Sequence, residues 1–168
     1  MKKVVFVTAP SMFRDEEYYK PKMILEYADI KVVTASVETG ELIGRFGYKT
    51  ISTISMQNID VDNFDAIAYI GGSGSSIFFN NFYALKLADD FFKCGKPVAS
   101  ICIAGVILAN SGILKGKKAT VFISEKGTLI EKGALYTEIP LEIDGNIITA
   151  NGPAVAEAFG KAILNAIK

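Results

Sequence analysis

The sequence predicts an α/β fold built on a mostly parallel β-sheet that helices cover on both faces. Segments with strand character alternate along the chain with amphipathic helical segments, which is the pattern of parallel sheets. The predicted strands are also apolar throughout, as expected for strands that are buried on both faces. With 168 residues, half of them hydrophobic, the chain is expected to form one domain over residues 1–168.

The first half of the chain contains three predicted strands, one helix and an excursion from the sheet. A β-branched run ends at an Ala-Pro pair, an acidic segment containing Pro21 has helical character, and the third strand ends in a double glycine. Short alternating stretches between the second and third strands indicate a small hairpin. In chain order the predictions are strand 3–8, helix 16–28, strand 30–36, excursion 37–64 and strand 65–72.

The second half repeats the alternation and adds a β-hairpin. An amphipathic helix ends at Gly95, a strand leads into Cys102, and a short helix ends at Gly112. An Asp-Gly pair at residues 144–145 predicts the tight turn of the hairpin. In chain order the predictions are helix 81–95, strand 96–102, helix 104–112, strand 117–123, hairpin 134–150 and helix 153–168.

Composition excludes several classes of function. Lys and Arg balance Asp and Glu at 18 each, so no overall field favours nucleic acid or an anionic membrane. The N-terminal apolar run breaks at Pro10, which argues against a signal peptide, and two cysteines suit a reducing compartment. The absence of histidine removes the commonest metal ligand and general base. We therefore expect a cytoplasmic protein with no metal, no cofactor, and no nucleic-acid or membrane partner.

Cys102 lies where a predicted strand changes into a predicted helix, in the stretch SICIAGV. A residue at such a turn projects above the carboxyl edge of the sheet, and the N–H groups that follow it favour an anion. A thiol there is expected to ionise more readily than the reference pKa of about 8.5. The alternative is that Cys102 is a small buried hydrophobic residue. For Cys94, at the end of an amphipathic helix, we expect a structural role.

Two further segments reach the same predicted edge of the sheet. The amides of GGSGSS, which follows the third strand, could form an oxyanion hole or cradle a phosphate, or the segment could be a simple glycine-rich turn. Glu16 and Glu17 follow the first strand, and the alternative for them is a solvated helix N-terminus.

Three motifs together resemble the ThiJ/PfpI superfamily, which includes the parkinsonism-associated deglycase type and the PfpI-type intracellular peptidases. They are ASICIAGVILANSGILKGKKAT around Cys102, the double glycine after a strand, and the segment FRDEEYYKP. The resemblance covers essentially the whole chain. It implies a three-layer, flavodoxin-like sandwich with a nucleophilic cysteine at a sharp turn, assembled as a homodimer or larger homo-oligomer.

The resemblance also implies the roles of individual residues. Glu17, four residues before Pro21, corresponds to the glutamic acid that hydrogen-bonds the thiolate in this family, and it would have to be protonated to donate. The oxyanion donors would be the N–H groups of Gly72 and Ile103, beside Gly71. A weaker third contact is implied near Asn151, Gly152 and Pro153.

The chain departs from the family at its histidines. PfpI-type members carry histidine directly after the cysteine, where this chain has Ile103, and Phe122 is the counterpart of a histidine found in deglycase-type members. A Cys-His dyad is thereby excluded. The sequence predicts glyoxalase or deglycase-type chemistry on a small aldehyde. The alternatives are a redox-sensing or chaperone-like module that reacts with an oxidant, and a degenerate peptidase-like member.

Overall fold

A seven-stranded β-sheet forms the centre of the protein in the computed structural model, which describes residues 1–168. The strands of the protein are β1 (Lys3–Val7), β2 (Ser11–Phe13), β3 (Lys31–Ser36), β4 (Gly40–Gly44), β5 (Lys49–Ser52), β6 (Ile54–Ser55), β7 (Ala66–Tyr69), β8 (Val98–Ile101), β9 (Lys118–Ala119), β10 (Leu135–Tyr136), β11 (Leu141–Asp144) and β12 (Ile147–Ala150). The order in the central sheet is β11-β12-β8-β7-β1-β3-β6, and only the pairing of β11 with β12 is antiparallel.

Helices cover both faces of this sheet, which confirms the predicted α/β sandwich. The helices are α1 (Asp15–Tyr27), α2 (Phe82–Lys93), α3 (Gly105–Ser111), α4 (Lys126–Glu131) and α5 (Ala156–Ala166). Alternate residues of β1 enter two separate hydrophobic clusters, Val5 on one face and Phe6 on the other. Helices α2, α3 and α4 pack on the first face and α1 and α5 on the second. None of these helices combines the length and the hydrophobicity that a membrane-spanning segment needs.

The excursion forms a separate sheet of three strands beside the central one. Strands β4 and β5 form an antiparallel hairpin, and β2 pairs with β4 on its other side. Since β2 follows β1 directly, this small sheet lies next to the segment that connects β1 to α1. It therefore brings residues 44–48 close to the start of α1, where Asp15 accepts hydrogen bonds from two of their N–H groups.

The predictions for residues 117–136 were wrong in two respects. The strand expected over 117–123 is limited to β9, and the following residues form α4, for which no helix was predicted. The hairpin is confined to β11 and β12 around Gly145, while β10 pairs in parallel with β9 in a two-stranded sheet. Short apolar runs such as TVFI fit either a strand or the turn before a helix, because they span too few residues to show a period.

The order of the strands determines which loops meet. Strands β12, β8, β7 and β1 are consecutive neighbours in the central sheet and run in the same direction. Their carboxyl ends therefore lie side by side at one edge. The loops that follow them carry Pro153, Cys102, the double glycine and the start of α1.

Candidate active site

Cys102 occupies a sharp turn between β8 and α3. Its backbone has a φ of 60°, in the left-handed region that residues with a side chain rarely adopt. Such a conformation costs about 1–2 kcal/mol for a residue with a Cβ, so the surrounding structure must hold it. Part of that support comes from residues 121 and 122. The carbonyl of Cys102 accepts a hydrogen bond from the Phe122 N–H at 3.3 Å. Gly105 packs so closely on Val121 that a Cβ at Gly105 would lie 2.9 Å from it. The turn directs a side chain that is 9% exposed toward the carboxyl edge of the sheet.

The backbone N–H groups of Gly72, after β7, and of Ile103, the next residue in the chain, lie beside the Cys102 sulfur and lower its pKa. These are the two residues that the family resemblance implied as oxyanion donors. Donors at these positions stabilise negative charge on the sulfur or on an oxygen bound next to it.

Glu17 lies on the other side of the thiol and is fully buried. The Cys102 thiol and the Gly71 N–H approach its carboxyl group, but neither carboxyl oxygen has a hydrogen bond of normal geometry. Glu16, the alternative candidate, faces away and pairs through its carboxylate with Arg14 Nε at 2.8 Å. Of the two acids, Glu17 is therefore the one that the structure brings to Cys102.

Burial controls the ionisation of this pair. It raises the pKa of Glu17 to about 8, because the opposing effects of the thiol, the Arg14 charge and the Gly71 N–H are smaller than the cost of a buried charge. At neutral pH the carboxyl is thus predominantly protonated. It can then donate a hydrogen bond to a thiolate, as the family resemblance requires.

The same burial raises the pKa of the Cys102 thiol, and a charge on Glu17 raises it further. The expectation of an unusually acidic thiol was therefore wrong. The N–H groups of Gly72 and Ile103 lower the pKa, but α3 has only seven residues, and its amides do not outweigh desolvation. Since two charges cannot coexist so close together, the pair titrates as a unit whose first proton leaves near pH 8.

The double glycine allows these groups to approach one another. A Cβ at Gly71 would lie within 2.6 Å of the Glu17 carboxyl, the Ile101 carbonyl and the Cys102 Cβ. A Cβ at Gly72 would lie within 2.8 Å of backbone atoms of residues 12–14. The Arg14 N–H also donates to the Gly71 carbonyl at 2.9 Å, which ties the start of α1 to the end of β7.

Gly72→Val is expected to lower the free energy of unfolding by about 2–3 kcal/mol. Gly72 has a φ of 98° and a ψ of 161°, a conformation open essentially to glycine alone, and the new side chain would meet backbone atoms that cannot move independently. Urea denaturation measures the loss, and iodoacetamide alkylation of Cys102 in the folded protein should slow as well. Gly127→Val is a matched control, because a Cβ at Gly127 would meet no atom within 4 Å. Equal stability of the two variants would contradict this placement of Gly72.

A pocket of about 260 Å³ opens above the thiol. Its lining residues are Arg14, Glu17, Arg45, Gly72, Ser73, Cys102, Ile103, Phe122 and Pro153. The larger groove of about 760 Å³ between β3 and β5 contains neither a cysteine nor a carboxylate, so we assign the chemistry to the smaller pocket.

The structure brings together most of the residues singled out from the sequence. Pro153 and Phe122, the counterpart of the family histidine, line the pocket, whereas Asn151 and Gly152 do not; Gly152 packs near the Phe122 ring. Cys94 is exposed at the end of α2 and lies outside the pocket. Sequence reasoning missed Arg14 and Arg45. The only signal for Arg14 was its position one helical turn before Glu17, and nothing local marked Arg45.

The fold and the site define a class of α/β proteins that hold a cysteine at a strained strand-to-helix turn beside a buried carboxylic acid. The sequence profile of the DJ-1/PfpI family matches residues 2–166, and the chain belongs to this family.

Relatives and solved structures match nearly the whole chain. The uncharacterized protein MJ0967 of Methanocaldococcus jannaschii is 38% identical, over 99% of this chain and 82% of its own length. The deglycase PH1704 of Pyrococcus horikoshii is 31% identical over 99% of both chains. A crystal structure of a ThiJ/PfpI domain protein from Brachyspira murdochii matches with a TM-score of 0.96 and 29% identity, over 98% of this chain and 95% of that one.

Proposed function

We propose that this protein is a cysteine-dependent enzyme that converts small 2-oxoaldehydes, such as methylglyoxal, into hydroxy acids. The observation that carries the proposal is the pairing of Cys102 with the buried acid Glu17 in one small pocket. The name of the relative from Pyrococcus horikoshii, a deglycase, supports chemistry on adducts of such aldehydes. The absence of histidine leaves Glu17 as the acid and base beside the nucleophile.

The first step forms a bond between the Cys102 sulfur and the aldehyde carbon. The carbonyl electron pair moves to oxygen, which takes up a proton, and the thiol proton leaves through Glu17 or solvent. The product is a hemithioacetal. The N–H groups of Gly72 and Ile103, which lower the pKa of the sulfur, would donate to the developing oxyanion next to it.

Glu17 then moves a proton from the former aldehyde carbon to the neighbouring carbonyl carbon. Its carboxylate removes the proton from the former aldehyde carbon, an enediol forms, and the same proton or one from solvent is delivered to the neighbouring carbon. The first carbon is oxidised by two electrons to a thioester, and the second is reduced by two electrons to an alcohol. No external oxidant or reductant is consumed. A pKa of about 8 suits this alternation, because both forms of Glu17 are accessible near neutral pH.

Water completes the reaction by attacking the thioester carbonyl. The bond to sulfur breaks, the thiol is regenerated, and the hydroxy acid leaves; methylglyoxal plus water gives lactic acid. The alternative function is peroxide sensing, in which the same Cys102 sulfur would be oxidised by peroxide to a sulfenic acid, with release of water, rather than regenerated as a thiol.

Product analysis of the wild-type protein tests the proposal. Methylglyoxal at pH 8 should yield lactate in an amount that exceeds the protein by tenfold or more, as measured by proton NMR. Methylglyoxal loss that produces only covalent adducts on the protein would contradict the proposal. Stoichiometric oxidation of Cys102 at micromolar peroxide, without lactate formation, would favour the sensing function instead.

A further inference from the structure

Two arginine side chains line the mouth of the Cys102 pocket. Arg14 comes from the start of α1 and Arg45 from the turn between β4 and β5. Both stack on one aromatic ring: their guanidinium carbons lie 4.9 and 5.5 Å from the centre of the Phe46 ring. Arginine stacked on an aromatic face keeps its N–H groups free at the edge of the guanidinium plane. Two segments distant in sequence thus deliver similar groups to one opening.

A buried carboxylate anchors the turn that carries Arg45. Asp15 is 5% exposed and accepts hydrogen bonds from the Phe46 N–H at 3.0 Å and from the Tyr48 N–H at 2.9 Å. The Arg45 N–H in turn donates to the Phe13 carbonyl at 2.9 Å. The backbone on both sides of the Arg45 side chain is therefore tied to the start of α1. Arg14 and Arg45 are thus both held at the start of α1, the helix that carries Glu17.

The side chains that line the pocket carry a net positive charge. Arg14 donates from Nε to Glu16, whereas Arg45 makes no ion pair. Glu17 is the only acidic side chain in the lining, and it is mostly neutral below pH 8. The rest of the lining includes the apolar side chains of Ile103, Phe122 and Pro153. A cavity of about 260 Å³ admits a molecule of roughly ten non-hydrogen atoms, so a bound anion would lie close to the thiol.

We propose that Arg14 and Arg45 form an anion subsite, and that the electrophile taken by Cys102 carries a carboxylate or phosphate group as well as its reactive carbonyl. This inference rests on the proposed function, since it names the class of aldehyde that the enzyme prefers. The anion binds between the guanidinium groups at the mouth, and the carbonyl carbon reaches the sulfur below them.

Alkylation by two reagents that differ in one charge tests the subsite without requiring turnover. Iodoacetate and iodoacetamide both form a bond between sulfur and a methylene carbon and release iodide, but only iodoacetate is anionic. Peptide mass spectrometry gives the rate at each cysteine. In Arg45→Met, the ratio of the iodoacetate rate to the iodoacetamide rate at Cys102 should fall about tenfold. The ratio at the exposed Cys94, in the same sample, should not change.

Lys49→Met is the matched control. It removes one positive charge from the same hairpin, but Lys49 lies outside the pocket and faces Glu41 at 3.7 Å. Its ratio at Cys102 should stay within twofold of the wild-type value. An unchanged ratio in Arg45→Met, or an equal fall in both variants, would overturn the subsite. Because no product is formed, the subsite can fail while lactate production succeeds, and the reverse also holds.

Protection experiments distinguish the two kinds of anion. Inorganic phosphate and acetate are each added at about 50 mM, at matched ionic strength, to the wild-type protein. An anion that occupies the subsite should slow the reaction of iodoacetamide with Cys102. Protection by phosphate alone assigns a phosphate-bearing substrate, and protection by acetate assigns a carboxylate. The protection should be lost in Arg45→Met. Protection by neither anion would overturn the proposal.

Discussion

Cys102→Ser is expected to reduce methylglyoxal turnover by at least about 10³-fold, to the uncatalysed background. The hydroxyl of serine is a far weaker acid than a thiol, and this site has no histidine to deprotonate it. Serine differs from cysteine by one atom and tolerates the same backbone conformation, with a φ of 60°, so the fold should persist. Lactate production at pH 8 measures the loss, and urea denaturation shows that stability is retained.

Cys94→Ser separates the reactive thiol from the other cysteine of the chain. Cys94 is exposed at the end of α2 and outside the pocket, so this variant should keep turnover within twofold of the wild-type protein. A Cys102→Ser variant that is folded and retains a tenth of the activity would mean that the sulfur is not the nucleophile. The carbonyl would then have to react with water, with Glu17 as the base.

The central sheet was accessible from the sequence, because buried parallel strands are continuous apolar runs and the helices between them are amphipathic. The runs ending at Val7, Tyr69 and Ile101 are of this kind, and each is a strand. The region around α4 was not accessible. Its elements are only a few residues long, and their conformation depends on packing against α3 and β10 rather than on a local pattern.

The site was predictable only in part. Cys102 stands out locally because a strand stops at a small-residue turn, but the choice of Glu17 over Glu16 came from the spacing to Pro21 known in the family. The ionisation of the Cys102 thiol was mispredicted, since it depends on a degree of burial that no local sequence encodes, whereas the raised pKa of Glu17 was expected. Arg45 was missed because it reaches the pocket through hydrogen bonds from its turn to Asp15, thirty residues earlier in the chain.

Glu17→Gln is expected to remove most of the pH dependence of stability between pH 5 and pH 8. A carboxyl whose pKa is raised to about 8 binds its proton more tightly in the folded than in the unfolded chain. Its contribution to stability is complete below its ordinary pKa and is lost as the pH rises toward 8. For the wild-type protein the loss amounts to roughly 3–4 kcal/mol over this range. Glutamine does not ionise, so the variant should show a nearly flat profile.

Urea denaturation at pH 5, 6.5 and 8 measures this difference, and Glu16→Gln is the matched control. Its hydrogen bond to Arg14 lowers the pKa of Glu16, so its contribution to stability is lost only as the pH falls. Glu16→Gln should therefore keep the wild-type decrease between pH 5 and pH 8. A Glu17→Gln variant with that same decrease would show that some other group is protonated in the folded protein.

The rate of Cys102 alkylation should change in the same variant, because a charge on Glu17 raises the pKa of the Cys102 thiol. In the wild-type protein the Glu17 carboxyl becomes charged as the pH rises through about 8, and this charge opposes ionisation of the neighbouring thiol. Glutamine cannot carry this charge, so the iodoacetamide rate of Glu17→Gln should rise at lower pH than the rates of the wild-type protein and of Glu16→Gln. If the two profiles coincide while stability becomes independent of pH, Glu17 is a buried neutral acid that does not act on the sulfur, and the proton transfers assigned to it would need another group.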